Sequence, residues 1–184
     1  YGVFFTPRLH FRYSPAELAS LRLSVGRGQR SASIISENIG LLASSRDILV
    51  EGENSDLPYG LEAEVAWNFG ASITQKFYLF DREGSIGVDF YRTEFVNQIV
   101  VDVDRSPQTA AFYNLDGRSF SNSLQVQLDH EVLPRFDLRL AYRWFDVNTT
   151  YDGELLEKPM VANHRAFVNL AYETGNAWKF DATL

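Results

Sequence analysis

The chain has 184 residues, 45% of them hydrophobic, which fits a folded unit and excludes a disordered tail. A formal charge of −7 with a pI near 5.0 excludes a basic nucleic-acid-binding surface, and the lack of cysteine excludes disulfide staples, thiolate metal sites and a cysteine nucleophile. No run of about 18 apolar residues occurs, which excludes a transmembrane helix but leaves a membrane β-barrel open.

In chain order, alternation with a period of two predicts eight strands and almost no helix. Leu9, Phe11 and Tyr13 alternate with Arg8, His10 and Arg12, and Leu21, Leu23 and Val25 alternate with Arg22, Ser24 and Gly26. Gly26-Arg27-Gly28 lacks the third glycine or the Gly-Lys-Ser/Thr ending of a phosphate loop. It reads instead as a strand end where the chain leaves for a long loop, with Arg27 or Arg30 bracing that loop.

Residues 27–60 are predicted to form the longest loop, with Ile35, Ile39 and Leu42 at helix-like spacing, as for a short helix packed on a rim. Arg30, Glu37, Asn38 and Arg46 in and beside this loop are the candidate ligand contacts. A long strand over 61–78 places Val65, Trp67, Phe69, Ala71 and Ile73 on one face, and Ile86, Val88 and Phe90 repeat the pattern.

Further on, Asp102 and Asp104 read as solvated loop acids without calcium-loop spacing. Glu62 and Glu64 share a strand face and read as polar wall, with no matching acid pair for glycoside hydrolysis. A strand within 110–131 carries Leu124, Val126 and Leu128, and residues 136–144 carry Phe136, Leu138, Leu140, Tyr142 and Trp144 opposite Asp137, Arg139 and Arg143. Asn148 heads an Asn-Thr-Thr that matches a glycosylation pattern only by coincidence. The last strands carry Val168, Leu170 and Tyr172, then Trp178, Phe180 and Ala182. His10, His130 and His164 are scattered singly, so no metal site, catalytic group or cofactor is expected.

Alternation alone does not say which face is wet. Three features favour a membrane wall. Some strands are long enough for a tilted crossing of about 9 to 11 residues. Short turns at 14–17, 81–84, 132–135 and 174–177 alternate with long connections over 27–60, 102–109 and 147–163. Tyr13, Trp67, Tyr142, Trp144, Tyr172 and Trp178 lie near the ends of the apolar stripes, where amphipathic rings meet headgroups. Fourteen arginines against three lysines also suggest basic groups facing something other than bulk water. A lipid-facing arginine near mid-membrane costs about 2–4 kcal/mol, so the face bearing Arg8, Arg12, Arg22, Arg139 and Arg143 is expected to line a polar lumen.

Four segments resemble the TonB-dependent outer-membrane receptors: "TPRLHFRYSP…LRLSVGRGQR", "LEAEVAWNFGASI", "RFDLRLAYRWFD" and "KPMVANHRAFVNLAYET…WKFDATL". Gln29 stands where that family usually has an aromatic, and Ser31-Ala32 where Ala-Pro is common. The resemblance implies an all-β, antiparallel up-and-down transmembrane barrel segment spanning 1–184, about eight strands of a wall of about 22. The plug, the last strand and a signal peptide are expected to lie outside this sequence, which starts at Tyr1.

It further implies a bacterial outer-membrane receptor for energy-dependent uptake of a scarce nutrient such as an iron chelate, cobalamin or an oligosaccharide. The implied partners are a TonB-type energy-transducing complex acting through the plug, a small nutrient ligand and outer-membrane lipid, with no nucleic acid and no enzymatic activity. Two alternatives remain from the residues: a complete eight-stranded outer-membrane adhesin or structural barrel, and a soluble carbohydrate-binding β-sandwich with the apolar stripes face to face.

Overall fold

The computed structural model describes residues 3–184; the start at Tyr1 lies outside the described residues. In chain order the strands are β1 (Arg8–Ala16), β2 (Ala19–Arg30), β3 (Asp47–Glu51), β4 (Glu64–Leu79), β5 (Arg82–Asn97), β6 (Ile99–Asp102), β7 (Thr109–Asn114), β8 (Ser119–Leu133), β9 (Phe136–Tyr151), β10 (Glu154–Glu157), β11 (His164–Glu173) and β12 (Lys179–Thr183). One helical turn, α1 (Ile34–Glu37), and two 3₁₀ turns, Ile39–Ala43 and Pro58–Gly60, lie in the first long loop.

Eight strands form one antiparallel up-and-down wall, ordered β1-β2-β4-β5-β8-β9-β11-β12, and β10 folds back to pair antiparallel with the end of β9. The wall is open: β1 pairs only with β2, and β12 only with β11. It is a β-barrel fragment rather than a closed eight-stranded barrel. At one end the hairpin connections are tight. Phe80 and Asp81 both take positive φ, 52° and 58°, the mirror-image turn whose twist matches the flanking strands.

The expected boundaries shift in three places. The Gly-x-Gly is not the strand end: β2 continues to Arg30, and Gly26 lies under the Arg8 side chain, where a Cβ would come 3.1 Å from Arg8 Cγ. The 110–131 stretch is broken between β7 and β8, and the 147–163 connection contains the end of β9 and all of β10. Sequence periodicity misses the first and the last because ladder hydrogen bonds continue past the apolar stripe.

The two faces of the wall differ in kind. Cross-strand register aligns Tyr13, Leu21, Ile73, Val88, Val126 and Tyr142 on one face, and neighbouring rows add Leu23, Phe90, Leu124, Leu128, Leu140 and Val168. None of these side chains is buried: Ile73 (56%) and Leu140 (37%) are exposed, Leu21, Val126 and Val168 half-exposed, and no second sheet covers them among the described residues. A soluble sandwich would have buried them.

In β9 the stripe spans residues 136–144, matching the nine or so residues of a tilted crossing, and then changes character on the same face at Asp146 and Asn148. At the same height Arg92 donates to Asn122 Oδ1 (2.8 Å) and Asn122 donates to Asp146 Oδ2 (2.9 Å), while Arg92 also pairs with Glu94. This hydrogen-bonded ladder marks the upper edge of the apolar belt. The strands are 16 residues long in β4, β5 and β9 because they continue beyond that edge.

The opposite face carries Arg12, Arg22, Ser72, Asp89, Gln125, Gln127 and Arg139. Two glycines let aromatic rings lie flat on the ladder. A Cβ on Gly70 would sit 2.7 Å from the Tyr91 ring on the polar face, and one on Gly84 would sit 2.4 Å from the Phe77 ring on the apolar face.

Beyond the belt the long connections build a cap. β3 pairs parallel with β7, and β7 antiparallel with β6, giving a three-stranded sheet. Its core is the dry centre of the described chain: Leu61 (0% exposed) and Phe112 (1%) pack with Ala32, Ile34 and Ala110, flanked by Leu41, Val50 and Val101. The stripe expected to bury Ile35, Ile39 and Leu42 instead faces out, and Ile34 and Leu41 face in. The helix breaks at Asn38, which resets the phase and leaves too short a run for a 3.6-residue pattern to hold.

Candidate functional site at the rim

The polar face meets the cap at a cleft of about 170 Å³ lined by Arg30, Glu37, Asn38, Glu64, Gln98 and Lys158, among others. β2 and β4 supply its floor because Arg30 and Glu64 are direct register partners on that face. The Arg30 guanidinium pairs with Glu64 and reaches Glu37 of α1 at 3.0 Å. The second Glu64 oxygen accepts the Ile99 N–H at 3.1 Å, so one buried carboxylate joins wall, loop and cap.

Burial disfavours the charge on Arg30, but hydrogen bonding and attraction from Glu64, then from Glu37, outweigh it and raise its pKa. It stays a cation throughout the accessible pH range. Lys158 follows β10, five strand spacings along the sheet from β2, yet lines the same cleft. The polar face is therefore the concave one.

Of the four candidate ligand contacts, Arg30, Glu37 and Asn38 come together here. Asn38 Nδ2 donates to the Ile34 carbonyl (2.9 Å), fixing the end of α1. Arg46 lies elsewhere: its guanidinium donates to the carbonyls of Val103, Ser106 (3.2 Å) and Thr109 (3.3 Å), tying β3 to the β6–β7 hairpin. Gln98 and Lys158 were missed by sequence reading. Gln98 Oε1 is buried in the cleft wall without a hydrogen-bond donor, an acceptor that a bound polar molecule would satisfy. No periodic signal marks Gln98, because it stands between β5 and β6 where the ladder bends.

Asp102 is a correction. It is 5% exposed rather than solvated: its Oδ1 accepts the N–H groups of Asp104 (3.1 Å) and Arg105 (3.0 Å), and its Oδ2 accepts the Tyr113 hydroxyl (3.3 Å). Burial, then the Asp102 charge, push the Tyr113 phenol up to about 12. Glu62 and Glu64 do not share a strand face: β4 begins at Glu64, and Glu62 precedes it, its backbone N–H donating to Asn114 Oδ1 (2.9 Å). The three histidines stay apart: His164 meets Tyr142 Oη at 2.7 Å on the apolar face, His130 packs near Phe77, and His10 is on the concave face. Among the described residues no His, Asp or Glu cluster has the makings of a metal site.

Residues 1–184 match the family described as TonB dependent receptor-like, beta-barrel. No curated protein matches the chain.

Proposed function

The chain belongs to the TonB-dependent receptor family, outer-membrane receptors and transporters rather than enzymes, and from that premise we propose that it serves energy-dependent uptake of a scarce nutrient: an iron chelate, cobalamin or an oligosaccharide. The observation that carries this reading is the two-faced wall. An apolar belt the height of a bilayer backs a concave polar face, whose mouth narrows to the Arg30, Glu37, Asn38 and Gln98 cleft under an ordered cap.

In this reading the cap receives the ligand and the cleft offers a cation, a carboxylate and amide groups for the first contacts. The work of import comes from a TonB-type inner-membrane complex acting on a plug within the barrel. The chain forms part of the wall and external loops of that larger barrel, in the bacterial outer membrane. Arg46 keeps the cap in shape and takes part only through it.

The test is uptake in the native host under iron, cobalamin or carbohydrate limitation, comparing the wild type with a strain lacking the gene, with and without a protonophore. Loss of uptake of one nutrient class, reproduced by the protonophore, is the expected result. Equal uptake of all three classes by both strains would refute the proposal.

A further inference from the structure

One cross-strand row of the concave face has an uneven charge pattern. Arg12 stands opposite Arg22, Arg22 opposite Ser72, and Ser72 opposite Asp89. Asp89 then faces Gln125, Gln125 faces Arg143, and Arg143 faces Arg165. Two arginine pairs thus flank a single carboxylate.

Like charges directly opposite in an antiparallel ladder are destabilising, and each guanidinium presents five donors and no acceptor. Among the described residues, none of these four arginines has an ion pair or side-chain hydrogen bond. Asp89 stands two strand spacings, roughly 10 Å of backbone, from Arg22 and from Arg143, and forms an ion pair with neither.

The row nearer the turns shows the contrast. There Asp129 and Arg139 are direct partners and bond to each other, and Gln127 donates to Asp129 (2.7 Å). The wall neutralises its charges in one row and leaves them open in the other.

Each open pair has a shaped setting. Arg12 and Arg22 border a concavity of about 430 Å³ shared with His10, Ser72, Asp89 and Tyr91. Arg143 and Arg165 both stack on Phe145, at 4.5 and 6.0 Å from its centroid, which holds the planar groups while leaving their N–H edges free.

We propose that this row is a binding strip for a small anionic solute bearing carboxylate or phosphate groups, held by the arginine pairs. Planar guanidinium pairs match carboxylate and phosphate bidentately. The assignment rests on the uptake reading and narrows its cargo to an anionic nutrient or chelate.

The experiment uses the complete receptor in detergent micelles at low salt. Calorimetric titration with citrate and with pyrophosphate, and with raffinose as the neutral comparison, is run on the wild type, R12Q/R22Q, R143Q/R165Q and the outward-facing control R118Q. Heat-modifiable gel mobility establishes that each variant is folded. Each double variant should weaken citrate and pyrophosphate binding by about tenfold or more, as expected for lost hydrogen bonds to charged groups, and R118Q by less than about twofold.

No anion binding by the wild type, or unchanged affinity in both double variants, would overturn the assignment. So would double variants whose main change is a lower melting temperature, since the arginines would then be docking acidic side chains of the receptor itself. Energised import of a neutral solute by wild type and variants alike would sink the strip and leave the uptake reading standing. Anion binding in micelles with no energised import in cells would do the reverse.

Discussion

Arg30 holds the buried Glu64 carboxylate directly across the β2–β4 register, and the same carboxylate accepts the Ile99 N–H, so one side chain couples the wall to the cap. Removing its cationic partner leaves a desolvated acceptor with a single donor. Arg30→Ala should cost about 1–3 kcal/mol, felt locally, and limited proteolysis should cut faster within residues 31–63. Glu64→Gln should be milder, since its amide oxygen still accepts from Ile99. Unchanged cleavage in Arg30→Ala would show that the cap is held by its apolar core alone.

The faces of β9 give a sharper contrast. Leu140→Arg puts a cation into the apolar belt and should destabilise the folded receptor by about 2–4 kcal/mol in a lipid-based denaturant titration, whereas Ala141→Arg, one residue on and facing the lumen, should change it by less than about 1 kcal/mol. Equal losses would mean that the faces have been assigned the wrong way round.

Gly70 and Gly87 separate space from backbone freedom. A Cβ at Gly70 would meet Ser24 Oγ at 2.5 Å and the Tyr91 ring at 2.7 Å, while one at Gly87 has nothing within 4 Å. Gly70→Ala should cost about 1–3 kcal/mol by overpacking and Gly87→Ala close to nothing, read from the same titration.

Tyr113 predicts the alkaline behaviour of the cap. An unfolded tyrosine ionises near pH 10, whereas in the fold the Tyr113 phenol is held up to about 12, so the fold favours the neutral hydroxyl. That contribution is complete below about pH 10 and is lost as pH rises through about 12. Absorbance titration of the folded receptor should show Tyr113→Phe missing one late-ionising phenol. If the missing phenol instead ionises near pH 10, the burial of Tyr113 beside Asp102 is not sustained in solution.

The wall was legible in the sequence because a strand with one face in lipid and the other in water has to alternate. Leu138, Leu140 and Tyr142 against Arg139 and Arg143 fixed both the strand and its facing. The cap was not legible. β3 is five residues long and pairs with β7, which lies 62 positions away, and such pairing leaves no local periodicity. Arg30, Glu37 and Asn38 were found because loop polarity pointed at them, and Arg46 was grouped with them by nearness in sequence. Gln98, by contrast, owes its role to a bend that only the three-dimensional ladder reveals.

The parallel pairing of β3 with β7 also constrains the order of assembly. Asp47 meets Thr109 only after the chain has run out along β4 and back along β5, so the loop they close is long and its entropy is recovered only when both hairpins are in place. The crown's three-stranded sheet shares no backbone ladder with the wall. It can open without a single rung of the wall being broken.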